Sequence, residues 1–572
     1  MNKRSLYIIS IAFTAAIGGF LLGFDGSVIS GAVPFYKSVF GLADGSFMIG
    51  FSVSCIIWGA ILGNLIAGPL SDKVGRKPSL LISALLFTAT GLLCAFANNI
   101  EVFILGRIIG GLGVGIAILV APVYIAEIAP ARKRGWLVSF NQLLIVIGLS
   151  AAYFSNYFIL KAVEDPLTNW RWMLGVETIP AVLYFITCLF IPESPRWLIM
   201  HGKDGQAIKI LTKVDGDEHS KSEYDEIKKM MLAETKISIR AQTKELFTKR
   251  MKLVLIIGFG LGILQQFSGI NAILYYTPMV FESAGGGRDA AFMQAIVLGV
   301  VFVIMTIISM FLIDRLGRKP LLYMGVGLMA LSLTVTGILF KSATYKVDQN
   351  KIEAATASVY MDELWIVAKK QNPSLTGFDE FVVNNNKAEF KKKQKVISTL
   401  DLSANEINAV TIRRNLFTNK ASVLRDKVFV SELEFYDAIK SAVASTHINS
   451  DMYKPALLKD GININSILVL ISILGFIAGF SISLGPVMWA MFSEIFPNRL
   501  RGLAISVVGA ANSIASFIVA TLFPVQLATF GSSGTYFIYA GFMFFCLWFV
   551  WKYVVETKGK SLEQLENELI KL

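Results

Sequence analysis

One carboxylate, Asp25, lies in the middle of a long apolar run that begins near Leu6 and includes the stretch GGFLLGFDGSVISG. An ionised carboxylate at the centre of a membrane helix costs about 3 kcal/mol or more. A second charge equally out of place, Arg107, lies in the apolar stretch LGRIIGG. Such a pair can do acid–base chemistry, because an aspartate that takes up a proton on one side of a membrane can release it on the other with the help of a nearby guanidinium. The competing interpretation is a static buried salt bridge, which contributes little net stability.

Other chemistries lack the residues that would carry them. The histidines lie outside the apolar runs, so a proton carrier inside a membrane must be a carboxylate. The cysteines are scattered inside the runs, which indicates packing and neither disulfides nor a zinc site. The residues concerned are His201, His219 and His447, and Cys55, Cys94, Cys188 and Cys546. The sequence has no nucleotide-binding loop and no Ser/His/Asp set, so we predict a protein that is not an enzyme and has no cofactor, no metal and no ATP drive of its own.

The composition indicates a membrane protein that crosses the bilayer many times. Of the 572 residues, 54% are hydrophobic and 16% are charged, and the mean hydropathy is +0.60. Twelve runs are long and apolar enough to cross a ~30 Å hydrocarbon core as helices. They lie near 6–33, 47–70, 79–97, 102–128, 136–160, 173–192, 251–281, 291–313, 321–340, 464–493, 502–529 and 534–555. The first run is too long for a cleavable signal peptide, so we expect it to remain.

The placement of the basic residues predicts the orientation. A net charge of +12 would suggest nucleic acid in a soluble protein, but here the charge is concentrated in alternate short loops, so we expect a lipid bilayer and no nucleic acid as partner. The loops on one side hold Lys3, Arg4, Lys73, Arg76, Lys77, Arg132, Lys133, Arg134, Arg315, Arg318, Lys319, Arg499 and Arg501, whereas the opposite loops hold only Lys37, Lys161, Arg171 and Arg288. By the positive-inside rule both termini are cytoplasmic.

The chain contains an internal repeat. DKVGRKP at 72–78 returns as DRLGRKP at 314–320, an offset of 242 residues, and EIAPARKRG at 127–135 returns as EIFPNRLRG at 494–502, an offset of 367 residues. Duplicated halves are typical of transporters whose substrate site lies at the interface between the repeats. The difference between the offsets, 367 minus 242, leaves 125 extra residues in the second half.

The repeat and the hydropathy together predict the domain organisation. The extra residues coincide with a polar stretch at 341–463, which we call the insert and expect to fold as a small domain on the extracytoplasmic side. The predicted units are an N-terminal six-helix bundle at 1–192, a cytoplasmic linker with short helices at 193–250, helices seven to nine at 251–340, the insert at 341–463, helices ten to twelve at 464–555 and a cytoplasmic tail at 556–572.

The repeated charged motifs predict a gate at the cytoplasmic face. Each GRK loop is a tight glycine turn between two helices, with charges that can pair with cations on the neighbouring bundle and hold that side shut. Simple topological anchoring is the alternative for either copy alone. The predicted gating residues are Asp72, Arg76, Glu127, Arg134, Glu193, Arg196, Asp314, Arg318, Glu494 and Arg501.

These motifs resemble those of the sugar porter family of the major facilitator superfamily, in particular its bacterial D-xylose:proton symporters. The resemblance is carried by GRIIGGLGVG, PVYIAEIAPARKRG, IPESPRWL, QQFSGINAILYYTPMVF, GPVMWAMFSEIFPNRLRG and ETKGKSLEQLE. It covers nearly all of the chain except the insert. It implies an all-α membrane protein of the major facilitator fold, with 12 transmembrane helices in two six-helix bundles and a polar insert between helices nine and ten.

The resemblance also implies a sugar site of amides and aromatic rings near the middle of the bilayer. Such a site suits a neutral polyol, because an amide both donates and accepts hydrogen bonds and a ring covers the apolar face of the sugar. The matching positions are Gln142, Gln265, Gln266, Asn271, Tyr275, Trp489 and Asn512. Two positions depart from the family pattern, since Ser513 stands where a Trp is usual and Leu22 where the xylose symporters often have Phe. The resemblance therefore does not decide whether the substrate is a pentose or a hexose.

We expect a monosaccharide importer that works by alternating access and uses a proton as co-substrate. Facilitators of the family tend to have Asn at the position of Asp25, which favours symport with Asp25 and Arg107 as the coupling pair. A uniporter in which Asp25 is structural is the alternative, and a sugar sensor that signals through the insert is a third hypothesis. We expect the protein to act as a monomer in a bacterial inner membrane.

Overall fold

The computed structural model describes residues 3–130, 134–163, 165, 167–216, 220, 222, 224–225, 227–229, 239–372, 375, 380–384, 386–392, 395–444, 453–497, 499–560 and 562–570. Three residues singled out above, Arg132, Lys133 and His219, lie outside this description, as do the side chains of Lys3, Arg134 and Asp314.

The first half of the chain is helical throughout its apolar runs. The helices are α1 (Lys3–Val39), α2 (Phe47–Val74), α3 (Arg76–Ala95), α4 (Ile100–Ile128), α5 (Arg134–Ala162), α6 (Asn169–Gly175) and α7 (Thr178–Phe190). The described part of the stretch that joins the two halves includes the shorter helices α8 (Pro195–Met200), α9 (Asp204–Asp215) and α10 (Ile239–Leu246). The N-terminal ends are capped where water or headgroups would reach them, for example by Ser46 before α2 and Asn99 before α4.

The second half repeats this pattern with more interruptions. Its apolar runs form α11 (Lys252–Phe267), α12 (Ile270–Tyr275), α13 (Thr277–Ser283), α14 (Arg288–Leu316) and α15 (Arg318–Ser342) before the insert, and α20 (Ser466–Ile482), α21 (Pro486–Ile495) and α22 (Arg501–Tyr553) after it. The short helix α23 (Leu562–Ile570) follows.

Eleven helices in the described part of the chain are long and apolar enough to cross a membrane. The longest, α22, has 53 residues and would measure about 80 Å if it were continuous, more than twice the thickness of a bilayer core. Its backbone is non-helical at Gly531, where φ is 67° and ψ is 174°. This break divides α22 into two segments, 501–530 and 532–553, each long enough to span.

Close backbone contacts hold the first bundle together. A Cβ added at Gly59 of α2 would lie 2.1 Å from the carbonyl oxygen of Ile108 in α4, and one at Gly111 of α4 would lie 2.1 Å from the carbonyl oxygen of Ile56. Such spacing leaves no room for any side chain, as expected where van der Waals packing drives helix association. The glycines at 110–115 therefore allow close helix packing. All four cysteines are free and buried.

The bundles have two ends, which we name by what they carry. The motif face carries the GRK loops at 72–78 and 314–320, and the insert face is the opposite end, where α15 leads into the insert. Several contacts join the two halves near the insert face. The Ser54 and Thr521 hydroxyls lie 2.6 Å apart, the Tyr153 hydroxyl donates to the Leu274 carbonyl at 2.8 Å, and Lys161 pairs with Asp289 at 2.6 Å. The described conformation is therefore closed at the insert face.

In its described residues, the insert contains two small antiparallel sheets and four α-helices. One sheet has the strand order β5 (Val428–Phe429), β1 (Thr344–Lys346), β6 (Ile462–Asn463), so its two edge strands come from distant parts of the insert. The other is a meander of β2 (Glu380–Asn384), β3 (Lys387–Lys392) and β4 (Lys395–Asp401). The helices are α16 (Gln349–Gln371), α17 (Ala404–Ala421), α18 (Glu432–Val443) and α19 (Lys454–Gly461). Phe417 and Tyr453 stack in one buried core, and Trp365 and Phe390 pack edge to face in a second.

Candidate substrate and proton site

Two interrupted helices set the position of the amide side chains. Gly269 separates α11 from α12 with a left-handed backbone (φ 84°), and a Cβ there would lie 2.9 Å from the ring of Tyr539. A turn at 483–485 separates α20 from α21, which begins at Pro486. Non-helical backbone at membrane depth is tolerated only where it is buried in protein or lines a cavity. Such breaks at corresponding places in transporters mark substrate sites.

Four of the predicted sugar-site residues form one hydrogen-bonded network beside these breaks. The Asn512 amide donates to Gln265 Oε1 at 2.8 Å, and Gln266 Nε2 donates to Asn512 Oδ1 at 3.2 Å. Asn271 Nδ2 donates to Gln266 Oε1 at 2.8 Å and to the Ser516 hydroxyl at 2.6 Å. Gln265 Nε2 reaches the Leu484 carbonyl in the turn at 483–485, at 2.8 Å. The network therefore joins both interrupted helices to α22 and holds the amides in fixed orientations.

The three other predicted residues lie apart from this network. Tyr275 packs on α1, with a ring carbon 3.5 Å from the Cβ position of Gly26. Trp489 is 44% exposed and contacts the Phe492 ring edge to face, while Gln142 is an exposed residue of α5. Ser513 is one of the two departures from the family pattern. Its hydroxyl donates to the Gly509 carbonyl, so this polar group is bound within its own helix.

The structure brings Asp25 and Arg107 together in the membrane interior. Arg107 Nη1 forms an ion pair with Asp25 Oδ1, and both side chains are almost completely buried. Among the described residues, the second carboxylate oxygen of Asp25, and Nε and Nη2 of Arg107, have no partner. A buried charge that leaves hydrogen-bonding capacity unused is costly, so this pair contributes little net stability.

A second buried carboxylate, Glu177, was missed in the sequence analysis. It lies between α6 and α7, is 2% exposed, and interacts electrostatically with both Asp25 and Arg107. Its Oε1 has no hydrogen-bond partner. The signal was present, because Glu177 interrupts the apolar stretch WMLGVETIPAV in the same way that Asp25 interrupts its own.

The amide network and the charged pair are neighbours. Gly26, which Tyr275 contacts, directly follows Asp25 on α1. Tyr275 belongs to the same short helix, α12, as Asn271 of the amide network. The charged pair therefore lies beside a helix that carries part of this network.

At the motif face of the first half, Arg76 is the centre of an ion-pair network. Its guanidinium binds Glu127 through two hydrogen bonds of 3.0 and 3.1 Å and Asp72 at 3.0 Å. The Ser194 hydroxyl also donates to Glu127, at 2.6 Å. Glu193 accepts from the backbone N–H of Arg76 at 2.9 Å, across the turn formed by Gly75 (φ 107°). Burial raises the pKa of Glu193, against the effect of these backbone donors.

The second half has a matching network at the motif face. Arg318 binds Glu494 Oε1 at 2.7 and 3.1 Å, and its backbone N–H donates to Glu556 at 3.1 Å, across the turn at Gly317 (φ 93°). Burial raises the pKa of Glu556, but the backbone donors around it, led by Lys558, outweigh this and hold that pKa below its usual value. Among the described residues, Arg501 donates to the Phe496 carbonyl, at 3.4 Å.

The second network includes a residue outside the predicted gate. Glu556 was not among the predicted gating residues, although PESPRW and VETKGKS place a carboxylate at corresponding points after each half. The partners of Arg76 all lie in the first half, and Glu494 and Glu556 lie with Arg318 in the second. In this conformation the described networks therefore tie helices together within each half, and Arg196 lies half-buried in α8.

Two repeated halves, broken helices and a buried charged pair are features typical of transporters. A family model described as "Sugar (and other) transporter" matches residues 11–361 and 443–569. The chain therefore belongs to this family, the sugar porters of the major facilitator superfamily, and is a sugar transporter and not an enzyme. The model leaves 362–442, within the insert, unmatched.

Known proteins and structures resemble the chain over almost all of its length. It is 30% identical to the arabinose-proton symporter of Bacillus subtilis, covering 99% of this chain and 96% of that protein. It is 31% identical to the D-xylose-proton symporter of Escherichia coli, covering 99% and 97%. The inward open structure of the E. coli xylose transporter XylE superposes with a TM-score of 0.68 at 29% identity, covering 98% of this chain and 100% of that one.

Proposed function

We propose that this chain is a proton-coupled monosaccharide importer. The single observation that carries the proposal is the buried Asp25–Arg107 pair, whose unpartnered atoms leave Asp25 able to exist in two protonation states. When the site faces the proton-rich side, protonation of Asp25 releases Arg107 and allows the halves to close around the sugar. On the other side the neutral sugar leaves, and Arg107 favours loss of the proton.

The amide network supplies the recognition of a neutral sugar. Gln265, Gln266, Asn271 and Asn512 present both donors and acceptors, which match sugar hydroxyls. Gln142, Tyr275 and Trp489 complete the site from the facing helices once sugar is bound. With Ser513 and Leu22 in place of larger aromatic residues, a pentose or a hexose fits this proposal. Relatives named for arabinose, xylose and glucose support the same range.

The orientation and cellular setting are part of the proposal. The basic loops at the motif face put that face and both termini in the cytoplasm, and the insert outside. The described conformation, closed at the insert face, is then the inward-facing state, in agreement with the likeness to the inward open XylE structure. We propose that the protein acts as a monomer in a bacterial inner membrane.

Uptake into proteoliposomes tests the proposal. Labelled xylose, arabinose, glucose and galactose are each supplied with and without an inward proton gradient. We expect the gradient to drive accumulation of at least one sugar by the wild type, and Asp25→Asn to abolish accumulation while equilibration or exchange continues. Asp204→Asn is the matched control, because it removes a carboxylate on α9, outside the spans, whose partner is the surface residue Lys228.

The alternative is uniport, favoured by the ion pair itself, since a permanently paired Asp25 would be structural. Equal equilibration by the wild type and Asp25→Asn, with no response to the gradient, would establish uniport and contradict coupling at Asp25.

A further inference from the structure

The insert is fixed to the second half of the chain. It begins directly after α15 and ends directly before α20, so both of its ends are continuous with second-half helices. Glu432 of α18 accepts a hydrogen bond of 3.0 Å from the backbone N–H of Ser532, just after the break in α22. Leu433 packs beside Gly531, with a side-chain carbon 3.5 Å from the Cβ position of that glycine. Any movement of the second half therefore carries the insert with it.

The insert also reaches across to the first half. Lys369 of α16 forms an ion pair with Asp165, in the loop between α5 and α6, and Trp365 Nε1 donates to the same carboxylate at 3.3 Å. The Lys369 and Asp165 side chains are only 15% and 4% exposed. Burial raises the pKa of Asp165, but Lys369 and the neighbouring donors outweigh it and hold that pKa below its usual value.

This bridge spans the boundary that must open during transport. The Ser54–Thr521 and Tyr153–Leu274 contacts close the insert face directly between the bundles. Opening that face separates the halves there, so these contacts break. Because the insert moves with the second half, the contact between Lys369 and Asp165 must break as well.

We propose that the insert is a lid, clasped to the first half through Lys369 and Asp165, which stabilises the state closed at the insert face and must be released to admit substrate. This inference rests on the alternating access of the proposed function. It assigns the insert a regulatory role in transport, since any factor that weakens the clasp shifts the protein toward the state open at the insert face.

The first experiment measures opening without any transport. Thr521→Cys places a thiol at the contact between the halves, where the native residue is 1% exposed. A membrane-impermeant maleimide added from the insert face labels this thiol only when that face opens, and the native cysteines are buried. In this background we expect Lys369→Ala to raise the labelling rate about fivefold or more, as for a typical coupling between two states. Lys369→Arg keeps the charge and retains the slow rate.

The matched control is Lys346→Ala, which removes a lysine of the insert whose partner, Asp426, also lies in the insert. We expect it to leave the labelling rate unchanged. Equal labelling rates for Lys369→Ala and Lys346→Ala would overturn the lid.

A second experiment locks the clasp. Asp165→Cys with Lys369→Cys is joined by a short, reducible bis-methanethiosulfonate reagent, and we expect uptake to stop and to return after dithiothreitol. The control pair is Arg413→Cys with Glu363→Cys, which replaces an ion pair inside the insert and should transport normally when joined. Transport by the locked clasp at the control rate would overturn the proposal. If the wild type takes up no sugar, the proposed function is wrong. The labelling experiment needs no transport, so it still tests whether the insert acts as a lid.

Discussion

The two motif-face networks share one backbone design but differ in how completely their side chains are satisfied. In each half a glutamate, Glu193 or Glu556, accepts backbone hydrogen bonds at the start of the helix that follows the GRK turn. In the first half Arg76 and Glu127 are 8% and 10% exposed, whereas Arg318 and Glu494 in the second half are 15% and 21% exposed. Glu494 Oε2 has no partner, while both oxygens of Glu127 are bound.

A duplicated motif therefore fixes the path of the backbone more strictly than it fixes the side-chain network around it. The positive φ of the glycine and the helix start after it follow from the short segment GRK itself. The satisfaction of the side chains depends on residues from other helices, and these differ between the halves.

The largest effect is expected at the two arginines. Arg76→Ala leaves Glu127 buried without its cation, which should lower the free energy of unfolding by about 3 kcal/mol. Arg318→Ala leaves a more exposed carboxylate, and we expect a loss of about 1 kcal/mol. Thermal unfolding of the purified variants in detergent measures both. Equal losses would contradict the asymmetry described above.

A smaller effect on stability is expected at the residue that follows each of these glutamates, Ser194 after Glu193 and Thr557 after Glu556. Ser194 donates to Glu127 at 2.6 Å, whereas the buried hydroxyl of Thr557, the corresponding residue, has no partner. Removal of the bond in Ser194→Ala should cost about 1 kcal/mol, while Thr557→Val should be neutral or slightly stabilising. The same unfolding measurement applies. If Thr557→Val lowered the free energy of unfolding as much as Ser194→Ala, the Thr557 hydroxyl would have a hydrogen-bond partner in solution. That result would contradict the difference between the two networks.

The smallest expected effect is on the pH dependence of stability, which should have opposite signs at Glu193 and Glu556. The pKa of Glu193 is raised, so its folded form binds a proton more tightly than its unfolded form, and this contribution to stability falls as pH rises through the raised pKa. The pKa of Glu556 is lowered, so its contribution is present above the unfolded pKa, about 4.3, and is lost as pH falls through the folded value. Lowering the pH should therefore raise the Tm of the wild type relative to Glu193→Gln and lower it relative to Glu556→Gln. Shifts of the same sign would refute the comparison.

Much of the fold and part of the site could be predicted from the sequence. Apolar runs of membrane length, the repeated GRK loops and the family motifs predicted the class of protein, and Asp25 and Arg107 were recognisable because charges are costly where they lie. The breaks at Gly269 and at 483–485 were not predicted, because the apolar runs continue through them. Glu177 and Glu556 were missed although the sequence carries a signal for each, a charge inside an apolar stretch for Glu177 and the match of VETKGKS to PESPRW for Glu556. The groups that each of them meets depend on other helices.

The sequence by itself determined which segments enter the membrane, because the free energy gained by apolar side chains and the cost of unpaired backbone groups are both local. It also determined that the chain carries amides and a carboxylate that such segments rarely tolerate. Only the tertiary structure decided which of these meet: Gln266 with Asn512, Asp25 with Arg107, and Lys369 with Asp165. These partners lie between 82 and 246 residues apart, and no local pattern encodes such a contact because it depends on how whole helices pack.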